Sequence, residues 1–223
     1  MRKSATKIRR RKKTRSAPKR PPSILVLRLD SEKLKADGLS LGNEISFAHQ
    51  LSAACLRAQV VTVNATTESD LVAQLRALAE RRERFDLIVV VAHSNDSIIC
   101  FASDQKREWP VFATYLEPFA PRQLALIACL AGGRMVANQL FFGLPALDCI
   151  YASPECVNVD MANLILVVAA YSLTRGRGKD EVTPWLKTFA FIGMGRRLKV
   201  WRRRGGPSGQ DIWEDVFAWA MRQ

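Results

Sequence analysis

Residues 87–96 read Leu-Ile-Val-Val-Val-Ala-His-Ser-Asn-Asp, and residues 124–133 read Leu-Ala-Leu-Ile-Ala-Cys-Leu-Ala-Gly-Gly. Each opens with an unbroken apolar run of strand length, the pattern of a strand covered on both faces in a parallel sheet. Each run ends in a reactive side chain: His93 in the first and, 36 residues later, Cys129 in the second. Neighbouring parallel strands place the residues at their carboxyl ends side by side along one edge of the sheet. A thiol and an imidazole are therefore expected to meet there, the pair a cysteine nucleophile needs, because the thiolate attacks while the imidazole manages the proton.

The flanking sequence repeats the same strand-and-helix alternation, which predicts an α/β domain with a mostly parallel central sheet and helices on its faces. Residues 23–30 and 59–63 read as strands, with a helix between them at 40–57. Thr67 or Ser69 can cap a helix running to about Arg84 with Leu71, Leu75 and Leu78 towards the sheet. After His93 the segment 97–103 reads as a short excursion from the main sheet, and Trp109-Pro110 opens the next helix. The run ending at Cys129 is followed by Gly132-Gly133, which permit a tight turn and close backbone approach into a helix reaching Phe142. A fifth strand over 146–153 and a long apolar helix over 158–173 follow.

Composition bounds the function. The chain has 223 residues, 48% of them hydrophobic, enough for one α/β domain with tails. Its net charge of +13 is concentrated, since residues 1–20 hold eleven Lys or Arg and no acid, leaving about +2 for the remainder. Residues 1–22 are expected to be a disordered cationic arm, either simply solvated or contacting nucleic acid or an acidic partner. Five cysteines without a CxxC pair, and only two histidines, argue against a disulfide framework and a metal site and for a reducing compartment. The absence of an 18-residue apolar stretch argues against a membrane span and for a cytoplasmic protein. Residues 175–223 are read as a helical extension, with Arg196–Arg204 as a second basic cluster around Trp201.

Over residues 23–174 the order of elements resembles the caspase-like peptidase superfamily, in particular its CHAT and clostripain-like branches. The resemblance rests on a strand ending in His93-Ser94-Asn95, a hairpin and helix, a strand ending in Ala128-Cys129-Leu130-Ala131-Gly132, and the next unit from Cys149 to Leu173. It implies a caspase-haemoglobinase-like three-layer sandwich, with Cys129 as nucleophile, His93 as its base, and the backbone amides of Ser94 and Cys129 receiving the tetrahedral oxyanion. It also implies a protein or peptide substrate and no cofactor. Two positions depart from the pattern: Ser94 stands where the family usually has Gly, and Ile127 where clostripain-like members often carry an acid. Asp148, Glu155 and Asp160 are then the candidates for reading a cationic substrate side chain, against the plainer reading of each as a loop or cap carboxylate.

Three functions follow from these observations. The first is a cysteine endopeptidase working through an acyl-enzyme. The second is a caspase-like adaptor without catalysis, and the third a nucleic-acid-binding protein using its basic arm and Arg196–Arg204. The presence of both His93 and Cys129 favours the first, since a degenerate site has no chemical reason to keep the two together.

Overall fold

The computed structural model describes residues 21–29, 58–175, 197–205 and 211–215. The basic arm, the helix expected over 40–57 and the remainder of the C-terminal extension lie outside the described residues. Those described contain a seven-stranded sheet, a small three-stranded sheet and four α-helices.

The strands of the main sheet are β1 (Ser23–Arg28), β2 (Gln59–Asn64), β3 (Leu87–Val91), β7 (Gln123–Ile127), β8 (Cys149–Ala152), β9 (Lys199–Gly205) and β10 (Asp211–Asp215), in the spatial order β10-β9-β8-β7-β3-β1-β2. The five strands from β2 to β8 pair in parallel. Every residue of β3 and β7 is buried, which is why both read as continuous apolar runs rather than alternating ones.

Helices α1 (Glu68–Glu80), α2 (Trp109–Leu116) and α3 (Arg134–Gly143) connect β2 to β3, β3 to β7 and β7 to β8. All three connections step in one direction across the sheet, so right-handed crossovers place their helices on one face. Leu71, Leu75 and Leu78 of α1, Trp109 and Phe112 of α2, and Val136 and Leu140 of α3 pack there against Ile88, Val90, Leu124 and Leu126. Thr67 caps α1, its Oγ1 accepting the Asp70 amide at 3.2 Å. The opposite face, built from Leu87, Val89, Val91, Ala125, Ile127 and Tyr151, is covered by α4 (Val159–Arg175) through Ile165 and Ala169. Asn158 starts α4, its Oδ1 accepting the Met161 amide at 2.9 Å. The result is a helix–sheet–helix stack.

Between β3 and α2 the chain leaves the main sheet as the antiparallel ribbon β4 (His93–Ser94), β5 (Ile98–Cys100) and β6 (Lys106–Glu108). Asn95 makes its first turn: its Oδ1 accepts the amides of Ser97 and Ile98 at 2.8 and 2.9 Å. The ribbon is tied to α1 by Glu68, which accepts from Arg107 and from the hydroxyl of Tyr115 in α2.

The C-terminal extension corrects the helical expectation at residues 199–205 and 211–215. These are strands, β9 pairing antiparallel with β8 and β10 antiparallel with β9. They complete the sheet of the α/β domain instead of forming a unit beside it. Val200 and Trp201 are β-formers that become buried in this part of the sheet. Arg203, in the expected basic cluster, is committed to the fold. It donates to the carbonyls of Pro145 at 2.6 Å and Leu144 at 3.3 Å and to that of Phe141, at the carboxyl end of α3, and it lies over the Phe141 ring at 5.6 Å.

Candidate functional site

Strand register brings the two reactive residues to one place. Val91 of β3 is paired with Ile127 of β7, and the ladder runs one step further as the Ala92 amide donates to the Ile127 carbonyl at 3.2 Å. His93 and Cys129 each lie two residues beyond that register pair, His93 opening the ribbon and Cys129 in the turn after β7. Ser94 closes the connection, its Oγ donating to the Cys129 carbonyl at 2.5 Å. Ser94 therefore has a defined task, tying the ribbon that carries His93 to the turn that carries Cys129.

Cys129 is half-buried. The side chains of Ala125 and Ile127 lie on the α4 face, against which Val157 also packs, and Cys129 turns to the same side. There its Sγ accepts the Val157 amide at 3.3 Å. An N–H aimed at sulfur stabilises the thiolate relative to the thiol, and the amino-terminal ends of α3 and α4, which begin at Arg134 and Val159, add partial positive charge at this edge. His93 is also half-buried, with its Nε2 shielded from solvent.

The turn after Cys129 is held by backbone contacts. Leu130 adopts φ 59°, a left-handed conformation uncommon for a bulky residue. Its amide donates to the Glu155 carbonyl at 3.1 Å, and the Gly132 amide donates to the Ser153 carbonyl at 2.7 Å. The chains approach so closely that a Cβ on Gly132 would stand 2.5 Å from the Pro154 nitrogen. The Gly132 carbonyl in turn accepts the indole N–H of Trp201 at 2.9 Å.

Three residues gain significance that sequence reasoning did not give them. Trp201, from β9, braces the cysteine turn; the β-forming Val-Trp pair was the available signal. Cys100, one of the five cysteines, is the register partner of His93 across β4 and β5. Arg28 ends β1 beside β3, paired with Val91, and is 5% exposed, so it brings a buried positive charge to the same sheet edge. An arginine closing an otherwise apolar strand run was its signal.

The candidate pocket carboxylates separate. Asp148 immediately precedes β8 and pairs with Arg122, ahead of β7, at 2.7 Å. Both lie at the amino ends of their strands, across the sheet from Cys129, so Asp148 is withdrawn as a pocket residue. Its position before an apolar strand run already implied that edge. Glu155 lies on the cysteine side, where its carboxylate pairs with Arg197 at 3.4 Å and both side chains are more than half exposed. Asp160 falls in the first turn of α4, with its side chain outside the described part of the structure.

Cys149 is buried at the start of β8, where desolvation pushes its thiol up to about 11. It therefore stays protonated and unreactive near neutrality. Cys156 is exposed. Among the described residues no group of three or more His, Cys, Asp or Glu could hold a metal ion, and no helix is long and apolar enough to cross a membrane. A shallow, mainly apolar groove lies between α1 and α2, lined by Leu75, Ala79, Tyr115 and Pro118. It belongs to neither of the loops that carry His93 and Cys129.

No model of a known protein family matches this chain, and no curated protein matches it in sequence.

Proposed function

We propose that the chain is a cysteine endopeptidase of caspase-like architecture, with Cys129 as nucleophile and His93 as the acid–base group. The observation that carries this reading is the position of the two residues just past the Val91–Ile127 register pair, with Ser94 bonded to the Cys129 carbonyl, together with the amide directed at the Cys129 sulfur. In the proposed reaction the Cys129 thiolate adds to the carbonyl carbon of a peptide bond. Backbone amides receive the developing oxyanion, with those of Ser94 and Cys129 proposed for that role. The His93 imidazolium gives its proton to the departing amine, leaving a thioester to Cys129. Water, deprotonated by the now neutral His93, hydrolyses the thioester and returns the thiolate–imidazolium pair.

The wider reading keeps residues 1–22 as a cationic arm that contacts an acidic partner or nucleic acid, in a protein acting in a reducing, cytoplasmic setting. Such an interaction would weaken steeply with salt.

The test is labelling with a peptidyl acyloxymethyl ketone, which alkylates only an activated thiol positioned beside an acid. Selective modification of Cys129, lost in Cys129→Ala and slowed roughly 100-fold or more in His93→Ala, supports the proposal. Slow labelling spread over the accessible cysteines, unchanged by His93→Ala, overturns it in favour of a non-catalytic adaptor.

A further inference from the structure

The loop that supplies an amide to Cys129 also carries a second thiol. Cys156 lies directly before Val157, whose N–H reaches the Cys129 sulfur at 3.3 Å, and directly after Glu155, whose carbonyl accepts the Leu130 amide at 3.1 Å. Cys156 is thus flanked on both sides by contacts to Cys129 or to its immediate neighbour. Only one Cα–C bond and one C–N bond separate the Val157 nitrogen from the Cys156 Cα. Added to the 3.3 Å contact, they put that Cα within roughly 6 Å of the Cys129 sulfur. The Cys156 sulfur stands about 3 Å from its own Cα and an S–S bond spans about 2 Å, so a Cys156 side chain turned towards Cys129 comes within roughly 1 Å of bonding distance of its sulfur. Cys156 is exposed and Cys129 half-buried, so a small oxidant and the second thiol can both reach the site.

We infer that Cys156 is a resolving cysteine for Cys129, and that a peroxide converts the pair into a reversible disulfide which blocks the site. The chemistry balances without a bound cofactor. The Cys129 thiolate attacks one oxygen of the peroxide; the O–O bond breaks, and a sulfenic acid forms as the other oxygen leaves as water or an alcohol after taking up a proton. The Cys156 thiol then attacks the sulfenic sulfur; the S–O bond breaks, the S–S bond forms, and the hydroxyl departs as water with the thiol proton. A dithiol restores the two electrons. Without a resolving thiol, the sulfenic acid proceeds to the irreversible sulfinic state. Cys149, buried and held as the neutral thiol, offers no competing route. The inference requires an activated thiolate at Cys129 but not peptide cleavage.

The test uses the full chain treated with hydrogen peroxide, then alkylated, digested and analysed by mass spectrometry. The expected product is a peptide pair joined through Cys129 and Cys156, with labelling of Cys129 lost and then regained after dithiothreitol. Cys156→Ser, a change at an exposed position, is expected to accumulate Cys129 sulfinic acid and to lose most of the dithiothreitol-recoverable labelling. Equal sulfinic acid in wild type and Cys156→Ser, or a disulfide from Cys129 to Cys100, overturns the inference. Peptide-probe labelling of the untreated protein separates the two proposals: its absence defeats the peptidase reading, while the disulfide product is scored independently of it.

Discussion

Substituting Gly132 with alanine tests whether the turn carrying Cys129 is held by direct backbone contact with the loop after β8. The added methyl would lie 2.5 Å from the Pro154 nitrogen, 2.5 Å from the Ser153 carbonyl carbon and 2.9 Å from its oxygen. All three are backbone atoms, so no rotamer change relieves the clash, and the two loops must separate. Separation stretches the Gly132–Ser153 hydrogen bond of 2.7 Å and the Trp201–Gly132 bond of 2.9 Å. Overpacking of this kind costs about 1–3 kcal/mol and each of the two weakened hydrogen bonds about 1 kcal/mol, giving about 3–5 kcal/mol in all. For a chain of this size the melting temperature should fall on the order of 10 °C, read by circular dichroism. The same separation withdraws the Val157 amide from the Cys129 sulfur, so alkylation of Cys129 should slow at a temperature where the variant is still folded. A variant that melts within about 2 °C of wild type and labels at the same rate would refute the close-approach argument.

Trp201→Phe keeps the aromatic packing but leaves the Gly132 carbonyl without its indole donor, a loss of about 1–3 kcal/mol; urea denaturation should show it, and an unchanged midpoint would count against the brace. Ser94→Ala removes the hydroxyl tie to the Cys129 carbonyl and should cost about 1 kcal/mol, with slower labelling of Cys129 measured at constant folded fraction. Hydrogen bonds from Arg107 and then Tyr115 hold the Glu68 carboxyl below its ordinary 4.5, so its stabilising effect is present above that value and fades as pH falls below it. After allowance for solvent screening this amounts to about 1 kcal/mol or less, and urea midpoints of wild type and Glu68→Gln should converge between pH 5 and pH 3 (roughly). Burial raises the Cys149 thiol from 9.0 to about 11, so its contribution to stability is complete below 9 and is lost as pH rises towards 11; Cys149→Ala should flatten that alkaline decline, and Cys149 should resist alkylation at pH 8 until urea unfolds the chain.

Much of this architecture was legible along the chain because its determinants are local. An apolar run of strand length, a capping Thr67 and the spacing of Leu71, Leu75 and Leu78 each report on a few neighbouring residues, and they indicated the parallel sheet, its helices and the two strand ends bearing His93 and Cys129. The same local reading failed at 199–205, where a lysine and three consecutive arginines flanking Val200-Trp201 satisfy a basic helix as readily as a strand. Only pairing with β8 distinguishes them, because that pairing buries Val200 and Trp201 and gives the backbone its partners. Asp148 failed for another reason: nearness to a strand does not specify which edge of the sheet a residue occupies until strand direction is considered.

By itself, then, the sequence determined the α/β class, the concentration of positive charge in residues 1–22, and the two reactive residues at strand ends, all properties of composition and short-range periodicity. The tertiary structure decided what surrounds the sulfur: the Val157 amide, the Ser94 tie, the Gly132–Pro154 approach, the Trp201 brace and the neighbouring Cys156. These contacts join segments roughly 20 to 70 positions apart, and no local pattern encodes them. They arise when burial of both sheet faces fixes the register and leaves the connecting loops only one way to pack over the carboxyl edge.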